Sequence, residues 1–330
     1  MSATRTRQSR PARRRRRQRR RWSARTRRNV EQVAGAAAAV VSAAVGLSVL
    51  AGVLSGGAWP WVVATYLRWP QVIVAVVATA VLFATRWLRS AALSLMVAVA
   101  LVFSVVAPLD ALTTTVPPGE TLRIAVFNTG ARNGDIAAIS AAVRSASPDV
   151  VVMLESEDIA GRVARRIDDL SLLPAAGDGA RSAPFVLARR EWPVTIAPLG
   201  DARPAAVVTA EVGGRPVDVV AAHPLPPVTP EWARSHDRSI AALTGEVLPR
   251  EHPYVLACDC NTTPWTPSMA RLLDAGLRAP TVAATFGAPV VGVPTDHVLL
   301  GDGVVAASRE LGPFAGSDHR LIVTEVTLKS

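Results

Sequence analysis

The sequence predicts an α/β (α+β) fold in which a two-sheet β-sandwich flanked by helices, a four-layer αββα arrangement, follows three transmembrane helices. Three long apolar stretches occupy the first 110 residues. Strand-like runs alternate with helical stretches from residue 120 onward, and several short strands follow one another in the middle of the chain. Mixed strands with helices at both ends of the pattern indicate two packed sheets covered by helices.

Positive charge is concentrated at the N-terminus. The chain of 330 residues carries a formal charge of +10, but residues 1–30 hold fourteen arginines and no acidic side chain. The remaining residues contain 22 basic and 26 acidic groups. A block of like charges repels itself, so residues 1–30 are predicted to be a disordered cytoplasmic tail. Such a tail can bind nucleic acid or anionic lipid, but beside an apolar stretch it is typical of a membrane topology signal.

Residues 33–56, 70–85 and 91–109 contain no charged side chain and are rich in Ala, Val and Leu. A helix needs about 20 apolar residues to cross the hydrocarbon core of a bilayer. The stretches therefore predict three transmembrane helices within residues 31–110, in contact with membrane lipid, and a multi-pass protein of the cell membrane. Aromatic residues at their edges match an interfacial belt; these are Trp59, Trp61, Tyr66, Trp69 and Trp87.

Arginine placement predicts the orientation. The loop after the first stretch contains only Arg68, whereas the loop after the second contains Arg86 and Arg89. The positive-inside rule puts the N-terminal tail and this second loop in the cytoplasm. With an odd number of spans, the C-terminal part then lies outside the cell. Residues 111–119, with three threonines and two prolines, are predicted to be the linker to it.

Residues 120–330 are predicted to form one domain. The runs 122–127 and 150–154 are predicted as buried strands, each followed by a helix, at 135–145 and 160–170. Asp135 is the expected N-cap of the first of these helices. The elements predicted after them are strands at 185–188, 195–198, 205–212 and 217–222, a helix at 231–247, a strand ending at Asp259, a helix at 267–275, and strands at 297–300 and 321–328.

Two cysteines, Cys258 and Cys260, flank Asp259. At positions i and i+2 of a strand they point to one face, while Asp259 points to the other. Two cysteines do not form a disulfide framework, so both are expected to be small buried apolar side chains. Metal binding by the Cys-x-Cys pair is the alternative.

Polar side chains recur near the predicted strand ends, in a region poor in charge. Loops at such positions carry chemistry on a rigid scaffold. The set comprises Asn128, Glu155, His223, Asp259, Asn261, Asp296, Asp318 and His319.

Three of these residues are the candidate metal ligands. Asn128, Glu155 and Asp318 carry the hard donors that Mg²⁺ or Mn²⁺ prefers over zinc. Each also has a simpler explanation: Asn128 as a turn residue, Glu155 as negative charge at a helix N-terminus, and Asp318 as a cap. Their recurrence beside the other polar residues favours a metal site.

The remaining residues suit hydrolysis of a phosphate ester. His223 and His319 can hydrogen-bond or protonate phosphate oxygens, and a neighbouring carboxylate favours the imidazolium form. Asp259 and Asn261 can orient and deprotonate a water. His223 can instead simply begin the proline-rich loop that follows it, and Asp296 can act as a cap. Together with a metal, the set contains the parts for phosphoester hydrolysis.

The order of these motifs resembles the endonuclease/exonuclease/phosphatase superfamily, which includes pancreatic-type deoxyribonucleases, abasic-site endonucleases, bacterial sphingomyelinases and inositol-polyphosphate 5-phosphatases. The membrane-anchored bacterial branch looks most similar, because residues 261–265 continue much as in those proteins. Six motifs in the family's order carry the resemblance: a strand ending in Asn at 124–128, a Pro-Asp-hydrophobic-Glu element at 148–155, His223 after a strand, and counterparts of Gly-Asp-Phe-Asn at 258–261, Asp-His/Tyr-hydrophobic at 296–298 and Ser-Asp-His at 317–319.

The resemblance implies a two-sheet sandwich and a hydrolase that depends on Mg²⁺ or Mn²⁺. Glu155 with Asn128 would hold the metal, and Asp318 would touch it. By the resemblance, Asp259 and Asn261 would align the nucleophilic water. His223 and His319 would bind the scissile phosphate, and Asp296 would support His319. These catalytic residues are His223, Asp259, Asn261, Asp296 and His319.

The sequence departs from the family's nucleases. Cysteines replace both non-catalytic positions of Gly-Asp-Phe-Asn, Gly130 stands where some nucleases carry Asp, and a Tyr or Arg that some place between Glu155 and His223 has no counterpart. Residues 119–330 hold 19 basic and 24 acidic groups, a poor balance for gripping long DNA. The predicted substrate is a phosphoester, in a small molecule, a lipid headgroup or nucleic acid. An extracellular nuclease and a catalytically silent binding domain are the alternatives.

Overall fold

The computed structural model describes residues 10–106, 119–130, 133–173, 184–199, 202–287 and 292–329, with side chains from residue 24 onward. The chain divides into two compact units. One combines residues 1–48 with 70–102, and the other combines residues 49–69 with 103–330. The predicted linker lies outside the described residues except for Gly119.

The N-terminal part of the chain is helical. Hydroxyl groups join its helices, since Oγ of Ser94 lies 2.9 Å from Oγ of Ser42 and 2.7 Å from Oγ1 of Thr79. Small residues and hydroxyl hydrogen bonds are the usual means of packing apolar helices together. The helices are α1 (Arg10–Leu54), α2 (Trp61–Tyr66), α3 (Arg68–Ala84) and α4 (Leu88–Val106).

Two of these helices, rather than the predicted three, are long and apolar enough to cross a membrane: Ala24–Leu54 within α1, and α4. Helix α3 has 17 residues, which at 1.5 Å per residue gives about 25 Å, less than the roughly 30 Å hydrocarbon core. The prediction of three spans is therefore corrected to two candidates.

Helix α1 begins at Arg10, inside the stretch 1–30 that was predicted to be disordered. Arginine has a high helix propensity, and a helix already nucleated by an apolar segment extends at little cost. Residues 1–9 lie outside the described residues.

Residues 119–329 contain two mixed sheets, as predicted. The first has the strand order β10-β11-β1-β2-β4-β3 and the second β5-β6-β7-β8-β9. The strands are β1 (Thr121–Asn128), β2 (Val150–Leu154), β3 (Ser171–Leu172), β4 (Phe185–Ala188), β5 (Val194–Leu199), β6 (Ala202–Val212), β7 (Arg215–Ala222), β8 (Tyr254–Asp259), β9 (Asp296–Leu300), β10 (Val304–Leu311) and β11 (Ile322–Leu328).

Helices cover the outer face of each sheet. Helix α5 lies on the first sheet, where Ile139 and Val143 pack against Phe127. On the second sheet, Ile240 and Met269 belong to the cluster that covers its outer face. A third apolar cluster fills the space between the sheets, so the layers follow the predicted αββα order. The helices are α5 (Ile136–Ala146), α6 (Ala160–Ala164), α7 (Pro230–Ala242) and α8 (Pro267–Asp274).

Several elements differ from their predicted bounds. Helix α6 has five residues instead of the predicted 160–170. The predicted helix 231–247 becomes α7 followed by a π-helical turn, Leu243–Val247. Strand β10 was not predicted, and its pairing with β11 shifts register between Ala306 and Ser308, which breaks the alternation that would signal a strand. Asp135 caps α5 as expected, because its side chain accepts from the backbone N–H of Ala138.

Candidate active site

The first sheet brings two predicted metal ligands together. Strands β1 and β2 are parallel, with Asn128 opposite Leu154 at their carboxyl ends. Glu155 follows immediately at a positive φ of 51°, a conformation that is rare for residues other than glycine and is found where surrounding contacts maintain it. Its Oε1 lies 3.3 Å from Nδ2 of Asn128.

The second sheet supplies three of the predicted catalytic residues. Strands β7 and β8 are also parallel, so His223 and Asp259 leave the same edge. Strand β9 is antiparallel to β8 and sets Asp296 directly opposite Asp259. The backbone N–H of Asn261 donates to Oδ1 of Asp259 at 3.0 Å.

The two edges meet across the sandwich. Nδ2 of Asn128 donates to Oδ2 of Asp259 at 2.9 Å, which links β1 of one sheet to β8 of the other. Nε2 of His223 lies 3.7 Å from Oε1 of Glu155 and 3.6 Å from Oδ2 of Asp259. A buried carboxylate thus lies between an amide and an imidazole.

Asp318 and His319 come from the loop before β11. The apolar run 311–315 ahead of them is not a strand in itself, because β10 ends at Leu311. Oγ of Ser317 ties the loop to the site by donating to the carbonyl of Asn128 at 2.8 Å. Nδ1 of His319 lies 2.9 Å from Oδ2 of Asp296.

A cavity of about 700 Å³ opens over these residues. Glu155, Asp259, Asn261, Asp318 and His319 line it directly. The other three predicted site residues contact these by the distances given above. The structure therefore brings all eight predicted site residues to one place.

Opposite charges set the ionisation of the site. Burial lowers the pKa of His319, but the hydrogen bond and charge of Asp296, with the charges of Asp259 and Asp318, outweigh it and raise that pKa to about 9. Burial raises the pKa of Asp259, yet the neighbouring imidazole of His223 and the charge of His319 hold it well below its usual range. Burial and the charge of Asp259 raise the pKa of Asp296. At neutral pH an imidazolium and a carboxylate thus face the cavity together.

The tautomer of His223 follows from its neighbour. Nη1 of Arg203 lies 2.8 Å from Nδ1 of His223. A guanidinium can only donate, so Nδ1 accepts and the ring carries its proton on Nε2. Within the described part of the chain, this buried Nε2 has no hydrogen-bond partner. A buried donor without a partner is costly, so this N–H is available to donate to a ligand or water oxygen that enters the cavity.

Residues 125–319 match the family model described as Endonuclease/Exonuclease/phosphatase family. This stretch is more than half of the chain, and it contains every predicted site residue. The chain belongs to the endonuclease/exonuclease/phosphatase family. No curated protein matches it.

Solved structures of similar fold agree with this assignment. An endonuclease/exonuclease/phosphatase from Beutenbergia cavernae DSM 12333 is 19% identical, with a TM-score of 0.51 over 64% of this chain and 72% of that one. A family member from Bacteroides vulgatus is 15% identical, with a TM-score of 0.51 over 63% and 99%. A functionally unknown conserved protein from Enterococcus faecalis V583 is 14% identical, with a TM-score of 0.51 over 63% and 100%. At these identities the likeness concerns the fold alone.

The donor set is compatible with a hard divalent cation. Carboxylates of Glu155, Asp259 and Asp318 face one cavity. Among the described residues, Oδ1 of Asn128 accepts one hydrogen bond, from the N–H of Gly130 at 3.0 Å, which leaves a lone pair. Ligand atoms of Asp259, Asp296 and His319 also lie within 4.8 Å of one another. In that second group His319 and Asp296 already satisfy each other by a hydrogen bond, so the oxygen-rich set is the better metal candidate.

Four contacts of the site were not predicted from the sequence. Arg203 is the second residue of β6, and Tyr66 is the last residue of α2. Thr285 accepts from the backbone N–H groups of Thr295 and Asp296, at 3.1 Å each. The ring of Phe286 lies 4.7 Å from that of His319. Eight arginines lie between Glu155 and His223, so residue type alone did not single out Arg203.

Cys258 and Cys260 form a disulfide, contrary to the expectation of two free thiols. Both are buried on the same face, as expected. In an extended strand, residues two apart are separated by about 6.6 Å, whereas here the Cα atoms are 5.0 Å apart because the chain leaves the strand at Asp259. That distance lies within the range a disulfide spans. The bond also excludes thiolate ligation of a metal by this pair.

Proposed function

We propose that the protein is a membrane-attached, divalent-metal-dependent phosphoesterase that acts outside the cytoplasm on a phosphodiester or phosphomonoester. The observation that carries the proposal is Asp259, an ionised buried carboxylate held between Asn128 and two imidazoles at one cavity. This arrangement pairs a water-binding base with cationic and neutral donors for a phosphate.

The roles follow from the geometry and charge. Asp259 orients a water, with Asn261 fixed beside it by its N–H bond to the same carboxylate. The proton on Nε2 of His223 and the imidazolium of His319 donate to the phosphate oxygens, where negative charge grows during attack. Asp296 keeps His319 protonated and correctly turned.

Glu155 and Asp318, with Oδ1 of Asn128, are the residues that would hold Mg²⁺ or Mn²⁺. When bound there, the ion would supply Lewis-acid neutralisation of the phosphate charge. The acidic residues of the site otherwise repel a phosphate, so a cation at this position also makes substrate binding favourable.

The N-terminal helices support attachment to a membrane. Large apolar side chains such as Leu47, Phe83 and Met96 are exposed on the helical unit. In water such a surface is unfavourable, whereas in lipid it is solvated. Membrane fractionation of the full chain tests the attachment.

The Cys258–Cys260 disulfide supports a location of the catalytic residues outside the cytoplasm. Disulfides persist in oxidising compartments and are rare in the cytosol. With the N-terminal tail in the cytoplasm, two spans alone would return the chain to the cytoplasm, so an outside location with that tail inside requires an odd number of crossings. A C-terminal alkaline phosphatase fusion should be active, since that reporter is active only when it is exported to an oxidising compartment. An inactive fusion contradicts this part of the proposal.

The phosphoesterase activity is tested with the full chain in detergent on chromogenic phosphodiesters and phosphomonoesters. Activity should require Mg²⁺ or Mn²⁺ and disappear with a chelator. Asp259→Asn should lower the rate by about 100-fold or more. The matched control is Asp237→Asn, because Asp237 is an exposed carboxylate on α7, paired with Arg271. Equal rates for wild type and Asp259→Asn would overturn the proposal.

A further inference from the structure

The segment between α1 and α3 belongs to the same compact unit as the catalytic residues. Residues 49–69 cluster with residues 103–330. Gly57 lies so close to α8 that a Cβ on it would be 2.5 Å from Cγ of Pro267. The match to the family model begins only at residue 125, so this segment is an addition to the family's domain.

The segment reaches the active site through Tyr66, the last residue of α2. The Tyr66 hydroxyl donates to the backbone carbonyl of Asn261, 195 residues later in the chain. Tyr66 also lines the active-site cavity together with Asp259 and His319. A tyrosine from outside the family's domain therefore lines the candidate phosphate site.

Asn261 needs support of this kind. Its φ is +44°, a left-handed conformation that is uncommon for residues other than glycine, and its neighbours hold it there. Its N–H donates to Asp259 and its side-chain Nδ2 donates to the carbonyl of Pro224, both at 3.0 Å. The Tyr66 hydroxyl holds the remaining polar group of its backbone, the carbonyl.

The Tyr66 hydroxyl stays a donor over the working pH range. Burial, with the negative charges of Asp259 and Asp237, raises the pKa of Tyr66. The hydroxyl oxygen retains acceptor capacity for a second partner in the cavity.

We propose that Tyr66 is a positioning residue of the active site. It holds the backbone of Asn261 and forms part of the cavity wall beside the position of a bound phosphate. Residues 49–69 thus supply one wall of a site whose other residues belong to the family's domain. The kinetic part of this inference rests on the proposed phosphoesterase function. The contact between Tyr66 and a bound phosphate does not require turnover.

The kinetic experiment compares Tyr66→Phe with Tyr254→Phe in the full chain. These are the two tyrosines of the protein, and Tyr254 begins β8, the strand that ends at Asp259, so its ring lies at the far end from the site. Tyr66→Phe should lower kcat by about tenfold, the value of one hydrogen bond in the transition state, with KM little changed. Tyr254→Phe should retain the wild-type kcat. An unchanged kcat in Tyr66→Phe overturns the inference.

A second experiment detects phosphate binding beside Tyr66 and does not require hydrolysis. Labelling with ¹³Cζ-tyrosine yields two resonances, which the two variants assign. Inorganic phosphate added with Mg²⁺ should shift the Tyr66 resonance and leave that of Tyr254 in place. If this shift occurs but no phosphoester is hydrolysed, the proposed function fails and the position of Tyr66 stands. If saturating phosphate leaves the Tyr66 resonance unmoved, the inference is overturned.

Discussion

Nδ1 of His319 lies 2.9 Å from Oδ2 of Asp296, and both side chains are buried. Asp296 opens β9 directly opposite Asp259. This hydrogen bond therefore attaches the loop before β11 to the edge of the second sheet. It also holds the imidazolium of His319 where negative charge develops in the proposed reaction.

The first prediction removes that carboxylate charge. Asp296→Asn should lower the pKa of His319 from about 9 toward its ordinary value, because the neighbouring anion is lost. The imidazolium is the form present below that pKa, so activity in the wild type should fall as the pH rises through about 9. In the variant this alkaline limb should move to lower pH. Rate–pH profiles of the wild type and of Asp296→Asn measure this shift of the alkaline limb.

Asp302→Asn is the control for this comparison, since Asp302 is an exposed carboxylate whose partner is Lys329. Its profile should match that of the wild type. An alkaline limb in Asp296→Asn at the wild-type position would contradict the role given to Asp296.

The second prediction concerns Arg203. Arg203→Ala removes the donor that holds the Nδ1 position of His223, so the ring can rotate or adopt the other tautomer. We expect kcat to fall by about tenfold, as for the loss of one charged hydrogen bond. Arg215→Ala in β7, whose guanidinium contacts the carbonyl of Lys329, should have no effect. Similar losses in both variants would indicate a general effect of charge instead.

The third prediction concerns the Cys258–Cys260 disulfide. A loop this short adds only about 1.5 kcal/mol to stability in the chain-entropy model, so the double variant Cys258→Ser with Cys260→Ser should melt near the wild-type temperature. The bond encloses Asp259, so its loss should loosen that carboxylate and lower kcat. Reducing the disulfide of the wild-type protein should lower kcat to the same extent. Full activity of the reduced protein would refute a positioning role.

The fourth prediction concerns His297, which is buried in β9. Its Nδ1 accepts the N–H of Thr281 and its Nε2 donates to the carbonyl of Thr262, both at 3.0 Å, so only the neutral ring satisfies both partners. Burial lowers the pKa of His297 from 6.5 to about 4. Protonation then favours the unfolded chain, and stability is full above pH 6.5 and lost as the pH falls toward 4. The loss should reach about 2 kcal/mol by about pH 5.

Thermal unfolding at about pH 7.5 and about pH 5 measures this effect. His297→Gln can still donate and accept but does not titrate. The variant should therefore lose less stability than the wild type between the two pH values. Equal losses would assign the acid sensitivity to other groups.

Local sequence carries the information for the residues that end strands. Asn128, Glu155, His223 and Asp259 each follow an apolar run, and parallel pairing of neighbouring strands then requires their side chains to meet at one edge. The family motifs and the two-sheet architecture follow from the same pattern. An apolar run predicts a buried strand from its own sequence. The position of each strand end, and of the polar residue that follows it, can therefore be predicted without knowing distant contacts.

The tertiary structure alone decided the rest. Tyr66 and Asn261 are 195 residues apart, and Arg203 contacts His223 from a neighbouring strand, 20 residues earlier in the chain. No local periodicity encodes either contact. The disulfide likewise depends on how the chain turns after Asp259. The sequence by itself thus determined the chemistry of the candidate site, because residue type and strand position are local properties. Which side chains orient that chemistry was determined by packing, because packing brings together residues from separate segments.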